Sequence, residues 1–398
     1  PACAGPDHSP LHLRWGPSMR HALLMSVVLV FAVSTHAQAQ PAVTFERLDR
    51  NGDGQITKDE LPERIRSNFG RVDTDSDGAI SRKEHERFLS RNQNRIPRSE
   101  RRSRPLPESV RLVADIPYAG TDHPRQQLDL ILPKEPTADG PLPVVAFIHG
   151  GGWRAGDKAA ARRQVARFAD TGEFAAASIG YRLSGDAIWP AQIHDCKAAI
   201  RWLRANADKH GLDPDRICVM GSSAGGHLVA MLGTSGDVEE LEGDLGPHTD
   251  VSSRVTCVVD MYGPTDFLTM NARKGALDHD APNSPESLLI GGPIKEHPDR
   301  VRNASPLSYV TEDDPPFLIV HGTNDRLVLI EQSQQLQADL KNAGVDVLMI
   351  PVTGGGHGGF RNPELDERIL AFIQRHLQGA EVEISESPLP QGTGGRTP

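Results

Sequence analysis

Cysteine is scarce in this sequence, with four residues in 398. Cys196, Cys218 and Cys257, the three that lie beyond residue 40, are odd in number and have no metal-ligand spacing. They read as buried inert thiols, with a disulfide between the apolar runs holding Cys218 and Cys257 as the alternative. Positive charge is not in excess either. The formal net charge is −10, and an acidic surface argues against nucleic acid as a partner. No apolar run reaches the roughly 20 residues that a transmembrane helix needs. The longest, ALLMSVVLVFAV at 22–33, follows Arg20 and His21 and precedes Ala37-Gln38-Ala39. A basic flank, a short apolar stretch and a small-residue site describe a signal peptide cleaved near Ala39. Met19 then reads as the start, residues 1–18 as an upstream extension, and the protein as secreted or periplasmic. A retained N-terminal anchor is the alternative.

Beyond the leader the chain falls into zones. Residues 42–90 are charged and rich in aspartate, and 91–108 carry six arginines and three prolines with almost no apolar content. Such a stretch cannot bury a core and reads as an extended linker. From 109 to 379, short apolar runs rich in Val and Ile alternate with longer amphipathic stretches. LPVVAFIHG (142–150), RICVMG (216–221), RVTCVVDMYG (254–263), PFLIVHG (316–322) and VDVLMIPV (345–352) are near-continuous hydrophobic strands. Strands buried on both faces that alternate with helices, such as one expected over 191–210, mean a mostly parallel sheet in an α/β fold. SVRLVADIPYA and RQQLDLILP come first without a helix between them and predict an antiparallel hairpin at one edge. Residues 380–398 are expected to be a disordered tail.

Two twelve-residue stretches, DRNGDGQITKDE (49–60) and DTDSDGAISRKE (73–84), match the EF-hand calcium loop. Oxygen ligands recur at positions 1, 3 and 5 as Asp49, Asn51 and Asp53, then Asp73, Asp75 and Asp77. Gly54 and Gly78 allow the sharp turn. The carbonyls of Gln55 and Ala79 occupy position 7, and Glu60 and Glu84 close the loops with two oxygens each. Calcium is a hard ion and needs this crowd of oxygens. Ile56 and Ile80 would pair as a short two-stranded contact, and LPERIRSNFGRV (61–72) must serve both loops as a shared helix. The zone therefore reads as a small all-α calcium-binding pair in which the ion stabilises or docks the module. Its spacing resembles dockerin-like and bacterial EF-hand modules.

Gly221-Ser222-Ser223-Ala224-Gly225 follows a strand and precedes the helical stretch AGGHLVAML. In G-x-S-x-G the central serine stands on a strained strand-to-helix turn, so the register selects Ser223 as nucleophile. His149-Gly150-Gly151-Gly152 follows another strand and supplies an oxyanion loop. The amides of Gly151, Gly152 and Ala224 would be its donors. The acid and base should come later, in that chain order. Asp325 in HGTNDRLV and His357 in GGGHGGF each come after a strand and take those roles. Asp266 is a competing acid. His149, His227 and His321 read as structural.

Over 109–379 the chain resembles an α/β-hydrolase of the esterase/lipase group with an HGGG motif. HGGGWRAGDK with GSSAGGHLVA, MYGPTDF, HGTNDRLV and GGGHGGF is similar in particular to the bifunctional feruloyl and acetyl-xylan esterase family. It is also similar to kynurenine formamidases and to the catalytic domains of prolyl oligopeptidases. Serine, not the aspartate usual in hormone-sensitive lipases, precedes the nucleophile, which favours the polysaccharide-esterase branch. The resemblance implies serine ester hydrolysis without a catalytic metal, on acetyl or feruloyl esters of polysaccharides. A segment between Asp266 and Pro316 would cap the site, with Trp153 and Trp189 as candidate pocket residues. An exopeptidase or amidase of the same fold, and a calcium-dependent interaction protein with an inactive hydrolase domain, are the alternative readings.

Overall fold

The computed structural model describes residues 45–61, 69–73, 75, 77–93, 105–137, 139–273, 275 and 277–392. The leader at 1–39, most of the shared helix and residues 94–104 of the arginine-rich linker lie outside the described residues. The chain divides into two compact units, residues 1–95 and 96–398.

In the first unit the two EF-hand-like loops are joined by an antiparallel pair, β1 (Gln55–Thr57) and β2 (Ala79–Ser81), with Ile56 opposite Ile80. Both isoleucines are buried. Phe45, Leu48, Leu61, Phe69 and Val72 surround them in one apolar cluster. The helical segments Phe45–Leu48, Phe69–Val72 and Arg82–Gln93 flank the loops. An isolated cross-strand contact this short has little strength of its own, so the shared core carries this unit.

The second unit is built on a nine-stranded sheet. Its strands are β3 (Val110–Pro117), β4 (Gln127–Pro133), β5 (Leu142–Ile148), β6 (Ala175–Ile179), β7 (Leu212–Ser222), β8 (Cys257–Met261), β9 (Phe317–Gly322), β10 (Val347–Thr353) and β11 (Leu389–Pro390). They lie in the order β11-β10-β9-β8-β7-β5-β6-β4-β3. Only β3–β4 and β4–β6 pair antiparallel. Alternation along β5 explains the double core: Val144, Ala146 and Ile148 enter one apolar cluster, while Val145 and Phe147 enter the other. Strands buried this way on both faces need helices on both, in keeping with the alternating pattern. β5 has β7 on one side and β6 on the other. The chain therefore reverses its direction of growth at β5, and the loops after β5 and β7 open a crevice at their carboxyl ends.

Two details depart from the sequence expectation. The helix anticipated over 191–210 spans Ala191–Ala205 and is succeeded by a separate turn, Ala207–His210, which Gly211 closes in the left-handed conformation. The tail expected to be disordered is ordered as far as residue 392. Leu389 and Ile384 are buried in the second core cluster, and β11 pairs parallel with β10 at Val352 and Thr353. Low hydrophobicity means that the segment cannot bury a core by itself, but it only has to complete one. Arg368 donates to the carbonyls of Ser385 and Ser387 at 2.8 Å each, and Glu386 accepts from the Met349 amide at 3.0 Å. Burying a Leu or Ile side chain contributes roughly 1.5–3 kcal/mol. Removing residues 380–398 should therefore cost roughly 3–6 kcal/mol in urea unfolding.

Candidate active site

Ser223 stands between β7 and the helix Ala224–Thr234 at φ 56°, ψ −122°. A side chain is strained in that conformation, so the surrounding backbone must impose it. It does so through glycines. A Cβ on Gly221 would lie 2.2 Å from the Gly225 carbonyl oxygen, and one on Gly225 would lie 2.1 Å from that of Ile148. The Ser223 amide donates to the Met261 carbonyl on β8 at 2.9 Å. The turn thus projects the hydroxyl beyond the sheet.

His357, in the loop after β10, reaches that hydroxyl. Its Nε2 is 2.8 Å from Ser223 Oγ, and its Nδ1 is 2.7 Å from Asp325 Oδ2. Asp325, after β9, is buried, and its Oδ1 accepts from the amides of Leu327 at 2.8 Å and Val328 at 3.1 Å. Burial alone would raise this carboxyl, yet His321, His357 and the Leu327 amide hold it well below the usual carboxylate range. Asp325 is therefore an anion that keeps Nδ1 of His357 protonated and leaves Nε2 free to accept from the serine. Tyr262 supports the imidazole with a T-shaped ring contact at 4.8 Å.

The glycines after β5 lie against the same serine. Gly150 faces the Ser222 carbonyl and Ser223 Cβ, while Gly151 and Gly152 adopt φ 128° and 58°. Among the described residues, the amides of Gly151, Gly152 and Ala224 donate to no protein acceptor. Free amides beside a nucleophile are what a developing oxyanion requires. A cavity of about 590 Å³ opens here, lined by the glycine loop, Ser223, His357, Trp153, Tyr262 and Arg154. Leu277, His279, Pro285 and Glu286, from the segment expected to cap the site, line it as well.

The remaining candidates lie elsewhere. Asp266 caps the short helix Phe267–Thr269, accepting from the Leu268 amide at 3.0 Å, and does not meet His357. His227 is buried, with Nε2 2.7 Å from the Ala304 carbonyl oxygen, and burial pushes it down to about 4. His149 stacks on Tyr181 at 4.3 Å with Nδ1 3.0 Å from the Gly150 oxygen, and burial likewise pushes it to about 4. Trp153 lines the cavity, whereas Trp189 donates to Asn303 Oδ1 at 2.6 Å, away from it. Cys218 and Cys257 are register partners on adjacent strands, and both are free thiols. His321 does more than the structural role its sequence position suggests. Its Nε2 lies 2.9 Å from the Val328 carbonyl and 3.3 Å from Asp325 Oδ2, so it also braces the acid. No motif marks that role, because His321 sits inside an apolar strand run.

In the EF-hand-like loops, Asp49 accepts from the amides of Gly52 and Gly54 at 2.7 and 3.0 Å. Glu60 accepts from those of Arg50, Asn51 and Thr57. In the second loop, Asp73, Asp75 and Glu84 bring carboxylate oxygens within 4.8 Å of one another. Asp73 is buried, and its Oδ1 has no hydrogen-bond partner. Three converging carboxylates with an orphaned buried oxygen repel one another unless a cation lies among them, so these residues fit a hard divalent ion. Asp53, Asn51 and Asp77 sit exposed on the loop rims, and the Gln55 and Ala79 amides donate to Asp53 and Asp77.

Comparison with known proteins places likenesses on both units. The family model BD-FAE matches residues 128–340, and an EF hand model matches 42–63 and 65–89. Esterase LipC of Mycobacterium tuberculosis is 37% identical over 242 residues, which cover 60% of this chain and 58% of LipC. Esterase LipQ of the same organism is 30% identical over 258 residues, covering 62% of this chain and 57% of LipQ. The chain thus spans little more than half the length of either. Among solved structures, a truncated carbohydrate esterase from gut microbiota superposes with a TM-score of 0.64 at 34% identity, over 69% of this chain and all of that one. A bifunctional GH43-CE protein of Bacteroides eggerthii gives 0.61 at 36%, over 67% of this chain and 35% of that one.

The glycine contacts generate a direct contrast. Gly225→Ala should cost about 3 kcal/mol or more in chemical denaturation, because its Cβ meets an immovable strand carbonyl. Gly356→Ala, beside His357 but facing open space, should stay within about 0.5 kcal/mol of wild type.

Proposed function

The chain belongs to the BD-FAE family, and from that premise we propose that it is a serine carboxylic-ester hydrolase. The observation that carries this reading is the unbroken chain Asp325–His357–Ser223 beside three free amides. Ser223 Oγ attacks the ester carbonyl while His357 Nε2 takes its proton. The carbonyl oxygen, now negative, is held by the amides of Gly151, Gly152 and Ala224. Collapse of this intermediate expels the alcohol, which receives the proton from His357, and leaves an acyl group on Ser223. Water, activated by the same imidazole, then releases the acid. Asp325 balances the imidazolium at both steps.

The substrate in this reading is an acetyl or feruloyl ester on a polysaccharide. The carbohydrate-esterase likeness supports it, as does a wide cavity with both polar and apolar walls. Arg154, whose guanidinium has no partner among the described residues, is available at the cavity wall to a substrate oxygen. The loops 49–60 and 73–84 hold calcium through Asp49, Asn51, Asp53, Glu60, Asp73, Asp75, Asp77, Glu84 and the carbonyls of Gln55 and Ala79. The ion stabilises or docks that unit and takes no part in the chemistry. Export through the N-terminal leader completes the reading and rests on sequence alone.

The enzyme should hydrolyse 4-nitrophenyl acetate, and Ser223→Ala should lower kcat at least about 10⁴-fold. Equal rates in the two proteins would overturn the assignment. A panel of acetylated xylan, feruloylated sugars, simple esters and peptide anilides should rank the carbohydrate esters first by kcat/KM. Calorimetric titration with calcium should show binding that the double variant Glu60→Gln/Glu84→Gln abolishes. A wild type that takes up no calcium would refute the loop assignment.

A further inference from the structure

The part of the cavity wall that comes from the cap segment contains a buried histidine and glutamate that the hydrolytic mechanism does not use. His279, from the cap segment, is 2% exposed, and its Nδ1 lies 3.0 Å from Glu286 Oε2 on the helix Pro285–Ile290. Its Nε2 lies 3.0 Å from the Leu327 carbonyl oxygen. A carbonyl can only accept, so Nε2 carries a proton and donates it to Leu327, while Nδ1 and Glu286 Oε2 face each other in the buried wall without an aligned hydrogen bond.

What it touches matters more than its charge. The Leu327 carbonyl and the Val328 N–H are the two ends of one peptide unit, and that N–H donates to Asp325 Oδ1 at 3.1 Å. A donor drawing on the carbonyl end polarises the peptide and strengthens the donor at the other end. We propose that His279 is a positioning residue for ester hydrolysis: through the Leu327–Val328 peptide it holds the acid loop, so that Asp325 is correctly set against His357 only while the cap segment is docked. The cap then does more than enclose substrate. It completes the orientation of the triad, and the line Glu286–His279–peptide–Asp325–His357–Ser223 runs from cap to nucleophile.

Several charges surround the ring. Asp278 is its chain neighbour, Asp280 pairs with Lys295 at 2.6 Å, Glu286 faces it from the cap helix and anionic Asp325 lies beyond the peptide. Burial disfavours the charged ring, but Glu286 and the Leu327 carbonyl more than offset this and hold it above its ordinary value. A second ring proton is therefore held more tightly than on a free imidazole and is lost as pH rises through that raised value. Loss leaves a lone pair facing the Glu286 carboxylate, which undocks the contact.

This inference rests on the Ser223–His357–Asp325 reading, and the two fail separately. An active Ser223→Ala variant sinks both, whereas an inactive one with an unaffected His279 variant sinks only the present inference. With 4-nitrophenyl acetate, His279→Ala should lower kcat tenfold or more with KM within threefold of wild type. His279→Gln keeps a donor toward Leu327 but cannot titrate, so it should retain at least a third of kcat and lose the alkaline limb of the kcat profile. Glu286→Gln should move that limb to lower pH by a unit or more. A folded His279→Ala enzyme within twofold of wild-type kcat would overturn the proposal, as would an alkaline limb that persists in His279→Gln. If His279→Ala does not fold, the Glu286→Gln profile decides: a shifted limb supports the proposal and an unmoved one refutes it.

Discussion

The second unit depends on how closely two stretches of backbone approach each other, one leaving β5 and the other leaving β7. Gly150 faces the Ser222 carbonyl across this gap, and Gly225 faces that of Ile148. Any side chain at either point would force the stretches apart. Their contact holds Ser223 in its strained conformation and at the same time brings the glycine-loop amides beside it. Strain of this kind costs roughly 1–3 kcal/mol, and the β5–β7 ladder together with two buried apolar clusters offsets it. Nucleophile and oxyanion donors are thus set by one packing event.

Charge is organised just as tightly around Asp325. One of its oxygens meets two histidines and the other meets two amides. Only His357 continues to the serine, while His321 is anchored to the Val328 carbonyl and to Ser333 Oγ at 2.7 Å. The acid therefore cannot rotate to serve a different partner, and its imidazole is presented in one tautomer. His149 and His227, which sequence alone could have offered as bases, are kept neutral by burial and point at backbone carbonyls.

Much of this is legible in the sequence because the determinants are local. Continuous Val/Ile runs reveal doubly covered strands, and glycine register separates Ser223 from Ser222. Chain order after successive strands singles out Asp325 and His357. The EF-hand-like loops announce themselves because all their candidate oxygen ligands fall within twelve residues. What escapes is non-local. The contacts of His321 with Asp325 and of His279 with Glu286 and Leu327 involve no motif, since they arise from segments meeting in space. The course of residues 380–392 is hidden because composition measures what a segment can bury alone. It says nothing of a vacant position on a core already formed by others.

That same C-terminal segment has a consequence for behaviour in concentrated solution. β10 would otherwise be the outermost strand on its side, with free amides and carbonyls open to another chain. Glu386 takes the Met349 amide, the Gln391 amide takes the Thr353 carbonyl, and Pro388 and Pro390 have no N–H groups to offer. The two-residue strand is too short, and too rich in proline, to recruit a neighbour in its turn. Residues 384–392 act as a selvedge that keeps the sheet from growing from one molecule into the next.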